Sequence, residues 1–341
     1  MYAIRVAALV LAVLTLVSCG GRRSTVVQAP PALSLPAELR VRVEGRIVAV
    51  PLEDYLVGTV LAETAPSATD TPGTARGIYR LQAIIARTYA VSHLGRHKSE
   101  GFDLCDATHC QVYQPSRTIT SRFATPARQA VVDTNGQVLL FDGRPSEALF
   151  HADCGGHTAD AALTWGGRPV AYLKGAADAV PAGTHQAWEF SLTRDAFRTA
   201  LGASPLSAVG NGLSAVTVIE RDPSGRVVTV EVRGDAVRRV RGEQLRSILN
   251  QTFGPRAIRS TRFSLAVSGD TYRFSGTGYG HGVGLCQVGA MARVRRGETV
   301  AAILATYYPG TRLTSARAAA TLQPSAPNQP RPFPTALLES P

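Results

Sequence analysis

PLEDYLVGTVLAETAP, residues 51–66, is the stretch on which the reading of the folded chain turns. Leu52, Leu56, Val60 and Glu63 recur at i, i+4, i+8 and i+11, so the spacing predicts a helix over Leu52–Glu63. Pro51 ends what precedes it and Pro66 closes the segment. Glu63 therefore occupies a place that the pattern reserves for an apolar side chain. A carboxyl group on an apolar helix face resists ionising, because a low dielectric disfavours charge. Kept protonated near neutral pH, it is a candidate general acid. The bland alternatives are a buried Glu paired with an Arg such as Arg87, or an exposed helix end.

Working outward, Val41, Val43, Ile47 and Val50 predict a hairpin turning at Glu44-Gly45. Downstream, Leu81, Ile84, Ile85, Thr88, Tyr89 and Val91 make the apolar face of a buried helix over about 77–95. The polar loop GFDLCDATHCQVYQP follows. VVDTNGQVLLFDGRPSEALFHADCGGHT then reads as three strands joined at Asn135-Gly136 and Asp142-Gly143. Residues 158–180 read as an ordered loop. From about 187 to 268, strand-like runs alternate with two short helices and carry little that could do chemistry, as in a small inserted α/β subdomain. No internal repeat of fixed period is visible. The fold class is α+β, a core of helices and mixed or antiparallel strands with that insertion.

The 341 residues suffice for one large domain or a core with an insertion. At the start, Arg5 precedes an apolar run from Val6 to Val17, too short to span a bilayer. With Leu16-Val17-Ser18-Cys19 it has the pattern of a lipoprotein signal over 1–18, Cys19 being the lipidated residue. Residues 19–36 read as a tether, 37–315 as the domain and 316–341 as a disordered Pro/Ala-rich tail. This places the protein outside the cytoplasm, membrane-anchored, in a periplasm or on an outer surface. The formal net charge of +11 suits a polymer bearing carboxylates or phosphates, and no nucleic-acid-binding motif accompanies it.

Three further constellations can carry chemistry. GTGYGHGVGLCQVG, residues 276–289, presents His281 and Gln287 on a glycine-rich loop entering a helix. It lacks the Gly-Lys-Ser/Thr of a phosphate loop and the βαβ context of a dinucleotide fingerprint. In CDATHCQVY, Cys105, His109 and Cys110 are candidate zinc ligands without an apparent fourth. In an oxidising compartment a disulfide is the favoured reading, and four cysteines (Cys105, Cys110, Cys154, Cys286) allow three complete pairings. In HADCGGHT, Cys154 and His157 suggest a thiol nucleophile, against which stands the absence of an orienting acid beyond Asp153 or Asp160. Trp165 and Trp188 fit the core better than a sugar platform.

VPLEDYLVGTVLAE, LQAIIARTYAVSH, DLCDATHCQVY, FHADCGGHTADAALTWGGRPVAYL and GTGYGHGVGLCQVGAMARVRRGETVAAILATYYPGTRL together resemble, in order, the signature blocks of the stage II sporulation protein D (SpoIID) / amidase-enhancer (LytB-type) family. The resemblance covers roughly residues 39–314. It implies a bacterial cell-wall protein: a lytic transglycosylase acting on peptidoglycan glycan strands, or alternatively a non-catalytic glycan-binding enhancer of a wall amidase. It nominates Glu63 as the catalytic acid. It further implies substrate contacts from Arg87, Tyr113, Tyr279, His281 and Gln287, with Arg87 otherwise orienting Glu63 or anchoring structure. The glycine loop becomes a thin groove wall. No cofactor is expected; zinc near Cys105–Cys110, known in some members, is the alternative. The chain departs from the family at Tyr279, where Trp is common, and at Cys286, where Ser is common. A Cys154–Cys286 disulfide is one consequence that the departure allows.

Overall fold

The computed structural model describes residues 33–318 except residue 182. The signal segment, Cys19, most of the tether and the tail beyond residue 318 lie outside these residues. No helix among the described residues is long and apolar enough to cross a membrane.

The chain enters through β1 (Ser34–Leu35) and the hairpin β2 (Glu38–Val43) and β3 (Arg46–Pro51). Glu44 and Gly45 both adopt positive φ at the turn, as the sequence predicts. Helix α1 (Leu52–Glu63) starts on Pro51, with Glu53 and Asp54 in its first turn favouring the positive end of the helix dipole. It stops where Thr64 becomes extended. Its buried face is wider than one stripe: every residue from Tyr55 to Leu61 is buried.

Helix α2 (Pro72–Ser92) begins five residues earlier than the apolar pattern predicts, for a local reason. Pro72 opens the helix, and the Thr71 hydroxyl accepts the Thr74 amide. Its two faces belong to two cores. Tyr79, Ala83, Ala86 and Ala90 pack with α1 and the hairpin, while Leu81, Ile84 and Ile85 pack with the C-terminal helices.

Strand β4 (Leu104–Cys105) joins β2 in parallel. After α3 (Arg117–Thr120) comes α4 (Ala124–Asp133). Val131–Asp133, expected as a strand, are the end of α4. The two valines favour strand locally, but Ala127, Ala130 and Val131 bury one helical face. Strands β5 (Gln137–Phe141) and β6 (Arg144–Pro145) form the expected hairpin at Asp142-Gly143, and β7 (Phe150–His151) follows. The segment 158–180 contains a short helix, α5 (Ala161–Trp165), capped by Asp160.

Residues 187–277 build a separate core. Two three-stranded antiparallel sheets, β9 (Leu213–Arg221), β10 (Val227–Gly234) and β11 (Val237–Arg241), and β8 (Ala187–Thr193), β12 (Phe263–Ser268) and β13 (Thr271–Thr277), enclose it with α6 (Arg194–Gly202) and α7 (Gly242–Phe253). The chain then returns through β14 (Leu285–Cys286), parallel to β7, into α8 (Gln287–Arg295), α9 (Val300–Tyr307), β15 (Arg312–Ser315) on β5, and β16 (Arg317–Ala318) on β1. The fold is α+β, with several small sheets and no closed barrel among the described residues.

The glycine loop spends its freedom on packing. Gly282 and Gly284 have φ of 86° and 72°. A Cβ on Gly284 would run into the Leu149 carbonyl, and one on Gly282 into the Arg226 guanidinium. The loop thus packs against the 149–156 segment and Arg226.

Arg87 is fully buried and grips Glu53 with two bonds, Nε–Oε1 at 3.0 Å and Nη2–Oε2 at 2.6 Å, while its other donors face Val131 O and Gln137 O. This pair bolts α2 to the start of α1. Arg87→Ala should therefore cost about 3 kcal/mol in urea unfolding, because it leaves a part-buried carboxylate unpaired. A loss below about 1 kcal/mol contradicts the anchor.

Candidate active site

Glu63 is the last residue of α1 and is half-buried. Its Oε1 accepts the Val112 amide at 2.5 Å. Burial raises its pKa from 4.5 to about 7, and the Val112 N–H only partly opposes this. The negative end of the α1 dipole acts in the same direction as burial. The carboxyl group therefore changes charge near neutral pH, as a general acid needs.

Behind Glu63 lies a polar bracket. Gln287 Nε2 donates to the Glu63 carbonyl (3.2 Å), Thr64 Oγ1 (3.3 Å) and Gln82 Oε1 (3.3 Å). Thr64 Oγ1 also donates to Gln82 Oε1 at 2.9 Å. Gln287 is buried and spends its amide protons on the protein, so it positions Glu63 and does not reach for sugar hydroxyls. On the other side, Gln111 Nε2 bonds the Tyr55 hydroxyl and the Ala86 carbonyl, fixing the loop that delivers Val112.

Two other expected substrate contacts face inward. Tyr113 is buried, with its ring 5.0 Å from that of Tyr55 and pressed against Gly58, where no Cβ would fit. Arg87 is sequestered by Glu53 and does not contact Glu63. Tyr279 is half-buried; its main chain bridges Asp153 through two hydrogen bonds of 2.9 and 2.7 Å.

His281 is half-buried and its Nδ1 accepts the Val283 amide at 3.0 Å. Burial, with Arg226 and Arg246 nearby, lowers its pKa to about 3, so the ring is neutral. It lies 5.1 Å from the Trp165 ring and 5.5 Å from His151. Trp165 is 44% exposed, contrary to the expected core role, whereas Trp188 is buried. Tyr89 feels the Glu63 charge and stands edge-on to Phe150 at 6.5 Å. His281 in turn bonds the Phe150 main chain. Tyr89 and Phe150 thus form one ring pair, and His151, His281 and Trp165 a second group. The sequence signal for Trp165 was its place directly before Gly166-Gly167, which end helix α5 at the surface.

Cys154 and His157 do not form a thiol site. Cys154 is fully buried and donates to Asp178, while His157 Nδ1 donates to the Thr158 carbonyl.

Cys105, His109 and Cys110 are joined by His97, which sequence reading missed. One donor atom from each of the four lies within 4.8 Å of the others. Sγ of Cys105 is 3.2 Å from His109 Nδ1, and Sγ of Cys110 is 3.4 Å from His97 Nε2. His97 Nδ1 donates to Glu100 at 2.5 Å, the carboxylate–imidazole arrangement that orients metal-bound histidines. Two thiols and two imidazoles suit zinc. All four cysteines of the described residues are free thiols, not the disulfides expected of an oxidising compartment.

A shallow depression of about 480 Å³ on α8, lined by Val288, Met291, Arg295 and Arg296 among others, contains none of these residues.

Residues 43–141 match the Stage II sporulation protein family (SpoIID), and residues 188–284 match a domain of unknown function, DUF8618. Stage II sporulation protein D of Bacillus subtilis (strain 168) is 28% identical over 286 residues, 79% of this chain and 76% of that protein. An uncharacterized protein of Brachyspira hyodysenteriae is 29% identical over 76% of this chain and 65% of its own length. An amidase enhancer of Bacillus subtilis is 44% identical over 69 residues, 20% of this chain and 10% of the enhancer. The SpoIID family match and the relatives aligned over most of the chain agree with the resemblance read from its sequence blocks.

The raised pKa of Glu63 has a thermodynamic signature. Between pH 4.5 and about 7 the folded chain retains a proton that the unfolded chain has lost, so folding stability falls as pH rises through that window. Glu63→Gln removes this loss. The variant should match the wild type below pH 4.5 and exceed it by up to about 3 kcal/mol above pH 7 in urea titrations at several pH values. A pH-independent difference is incompatible with the raised pKa.

Proposed function

We propose that this protein is a cell-wall-associated lytic transglycosylase that cleaves peptidoglycan between N-acetylmuramic acid and N-acetylglucosamine. The observation that carries this reading is the half-buried carboxyl of Glu63, raised to about 7 by burial and held by the Val112 amide. Similarity to a sporulation protein and to an amidase enhancer supports the cell-wall setting.

Such a reaction needs one acid/base. Glu63 protonates the glycosidic oxygen as the C1–O bond breaks. The muramyl 6-hydroxyl closes on C1, and the Glu63 carboxylate takes its proton. The product is a 1,6-anhydro ring and no water is consumed. A hydrolase uses a second carboxylate, either to activate water or to attack C1. The two acids nearest to hand in the sequence blocks are engaged elsewhere: Asp106 accepts the Glu44 amide at 2.9 Å, and Asp153 accepts bonds from His185, Gly155 and Gln186. Val112 and Gln287 hold the acid in place. Trp165 and Phe150 offer apolar faces to pyranose rings, and the positive charge of the chain favours an anionic polymer. Lipidation at Cys19 would hold the enzyme at an extracytoplasmic membrane surface.

His97, Cys105, His109 and Cys110 would hold zinc as a closed, structural site. Bound there, zinc would supply folding energy to the loop and no reaction chemistry. Those ligands flank the chain that ends in Val112, so their role is to keep the Val112 amide against Glu63.

The second reading is a glycan-binding enhancer of a wall amidase, favoured by the local similarity to such a protein. Incubating the protein with peptide-free glycan strands and weighing the products separates the two. Anhydro-muramyl ends are expected from the wild type, with a loss of about 10²–10⁴-fold in Glu63→Gln and unchanged glycan binding. The rate should fall above pH 7 as Glu63 loses its proton. Binding or amidase stimulation without any cleavage sinks the enzymatic reading.

For the zinc site, His97→Ala should carry one zinc equivalent fewer than the wild type and show faster proteolysis within residues 97–113. Unchanged metal content and unchanged cleavage argue against it.

A further inference from the structure

The other two cysteines sit in an equally selective setting. Cys154 and Cys286 are fully buried, and with Asp153 and His185 they bring one donor atom each to within 4.8 Å of one another. These residues come from three places: the turn after β7, the residue preceding β8 by two, and the end of β14. The register of β14 on β7, with Cys286 opposite His151, is what brings the first and third together.

Three main-chain amides are aimed at the two sulfurs. Cys154 N–H and Gly289 N–H donate to Cys286 Sγ at 3.2 and 3.3 Å, and Gly156 N–H donates to Cys154 Sγ at 3.3 Å. Cys286 is also the N-cap of the nine-residue helix α8, so the positive end of its dipole points at the sulfur. Burial and the neighbouring Cys154 keep the Cys286 thiol protonated in the metal-free chain; the amide donors and the helix N-terminus offset part of that cost once a metal displaces the proton.

His185 supplies the second, independent sign. Its Nδ1 donates to Asp153 Oδ1 at 2.5 Å, while its Nε2 is buried with no hydrogen-bond partner. A buried imidazole nitrogen without a partner is costly. An imidazole bonded to a carboxylate through one nitrogen and free at the other is also the arrangement that orients metal-binding histidines. The Asp153 carboxylate is in turn fixed by the Gly155 and Gln186 amides, at 2.8 and 3.2 Å.

We infer that Cys154, His185 and Cys286, with Asp153 as the carboxylate that orients the His185 ring, form a second metal site, distinct from the His97 cluster, that takes zinc or a similar soft divalent cation. Sulfurs at about 2.3 Å from a tetrahedral zinc stand about 3.8 Å apart, within the spread of the donors here. Binding displaces the two thiol protons to solvent. The proton that Cys154 now donates to Asp178 is one of these; the Asp178 charge remains matched by Arg293 and the Tyr307 hydroxyl. The site ties the 153–156 turn and the 185 segment to the first residue before Gln287. It therefore secures the bracket behind Glu63 from the α8 side.

The test is metal analysis of the full-length chain, isolated without chelator or reductant. Cys154→Ser/Cys286→Ser and His185→Ala should each carry one zinc equivalent fewer than the wild type. Cys105→Ser/Cys110→Ser addresses the other cluster, so failure of one site does not disguise failure of the other. In that second background, cobalt(II) should still give a thiolate-to-cobalt absorption, which adding Cys154→Ser/Cys286→Ser abolishes. Should those variants fail to fold, the wild type answers through alkylation mapping. In a urea concentration that loosens the fold, zinc should shield Cys154 and Cys286 from iodoacetamide, and chelation at that same concentration should open both. Metal content indifferent to the Cys154→Ser/Cys286→Ser pair, absence of shielding, or a Cys154–Cys286 disulfide in the non-reduced peptide map each overturns the inference.

Discussion

Everything around the candidate site depends on one awkward placement: a carboxyl group at the C-terminal end of a buried helix. That position is unfavourable for a charge twice over, through desolvation and through the helix dipole. It persists because the neighbouring backbone is tied off. The Glu63 carbonyl, an orphan of the helix end, is bonded by Gln287, and one carboxyl oxygen is bonded by Val112. Both partners come from segments distant in sequence, so the acid is assembled only when α1, α2, the 97–113 loop and α8 have all docked.

That dependence explains the density of cross-links in this half of the molecule. Helix α2 is buried on both faces and joins two hydrophobic clusters. The Arg87–Glu53 pair fixes its angle to α1. Cysteine clusters stand one step from each Glu63 partner: Cys110 is two residues before Val112, and Cys286 immediately precedes Gln287. The geometry of a single acid is thus maintained by constraints applied from two sides.

How much of this could be read in the sequence varies with the range of the interaction. Helix α1, its ends and the misplaced Glu63 were legible because they follow from local spacing and two prolines. The hairpin turns at Glu44-Gly45 and Asp142-Gly143 were legible for the same reason. The end of α4 was misread because paired valines carry a strand signal that tertiary burial overrode. Arg87, Tyr113 and Gln287 were correctly seen as special, but their partners lie 34 to 224 residues away and turn them inward. His97 and His185 were invisible as cluster members, since neither has a regular spacing to its cysteines. The glycines of the 276–289 loop were conspicuous; the carbonyl and guanidinium that require them were not.

The subdomain spanning residues 187–277 has its own core, yet it reaches into the loop region through two arginines. Arg226 donates to the Cys154 and Gly280 carbonyls, and Arg262 to the Gly155 carbonyl and the Thr277 hydroxyl. Arg226 is itself fully enclosed, directly beneath Gly282. The half that carries Glu63 consequently borrows part of its internal wiring from this subdomain. Excising the subdomain and rejoining the chain ends would strand three main-chain acceptors and leave a void under the glycine turn, so the two portions, though separately cored, must be inherited together.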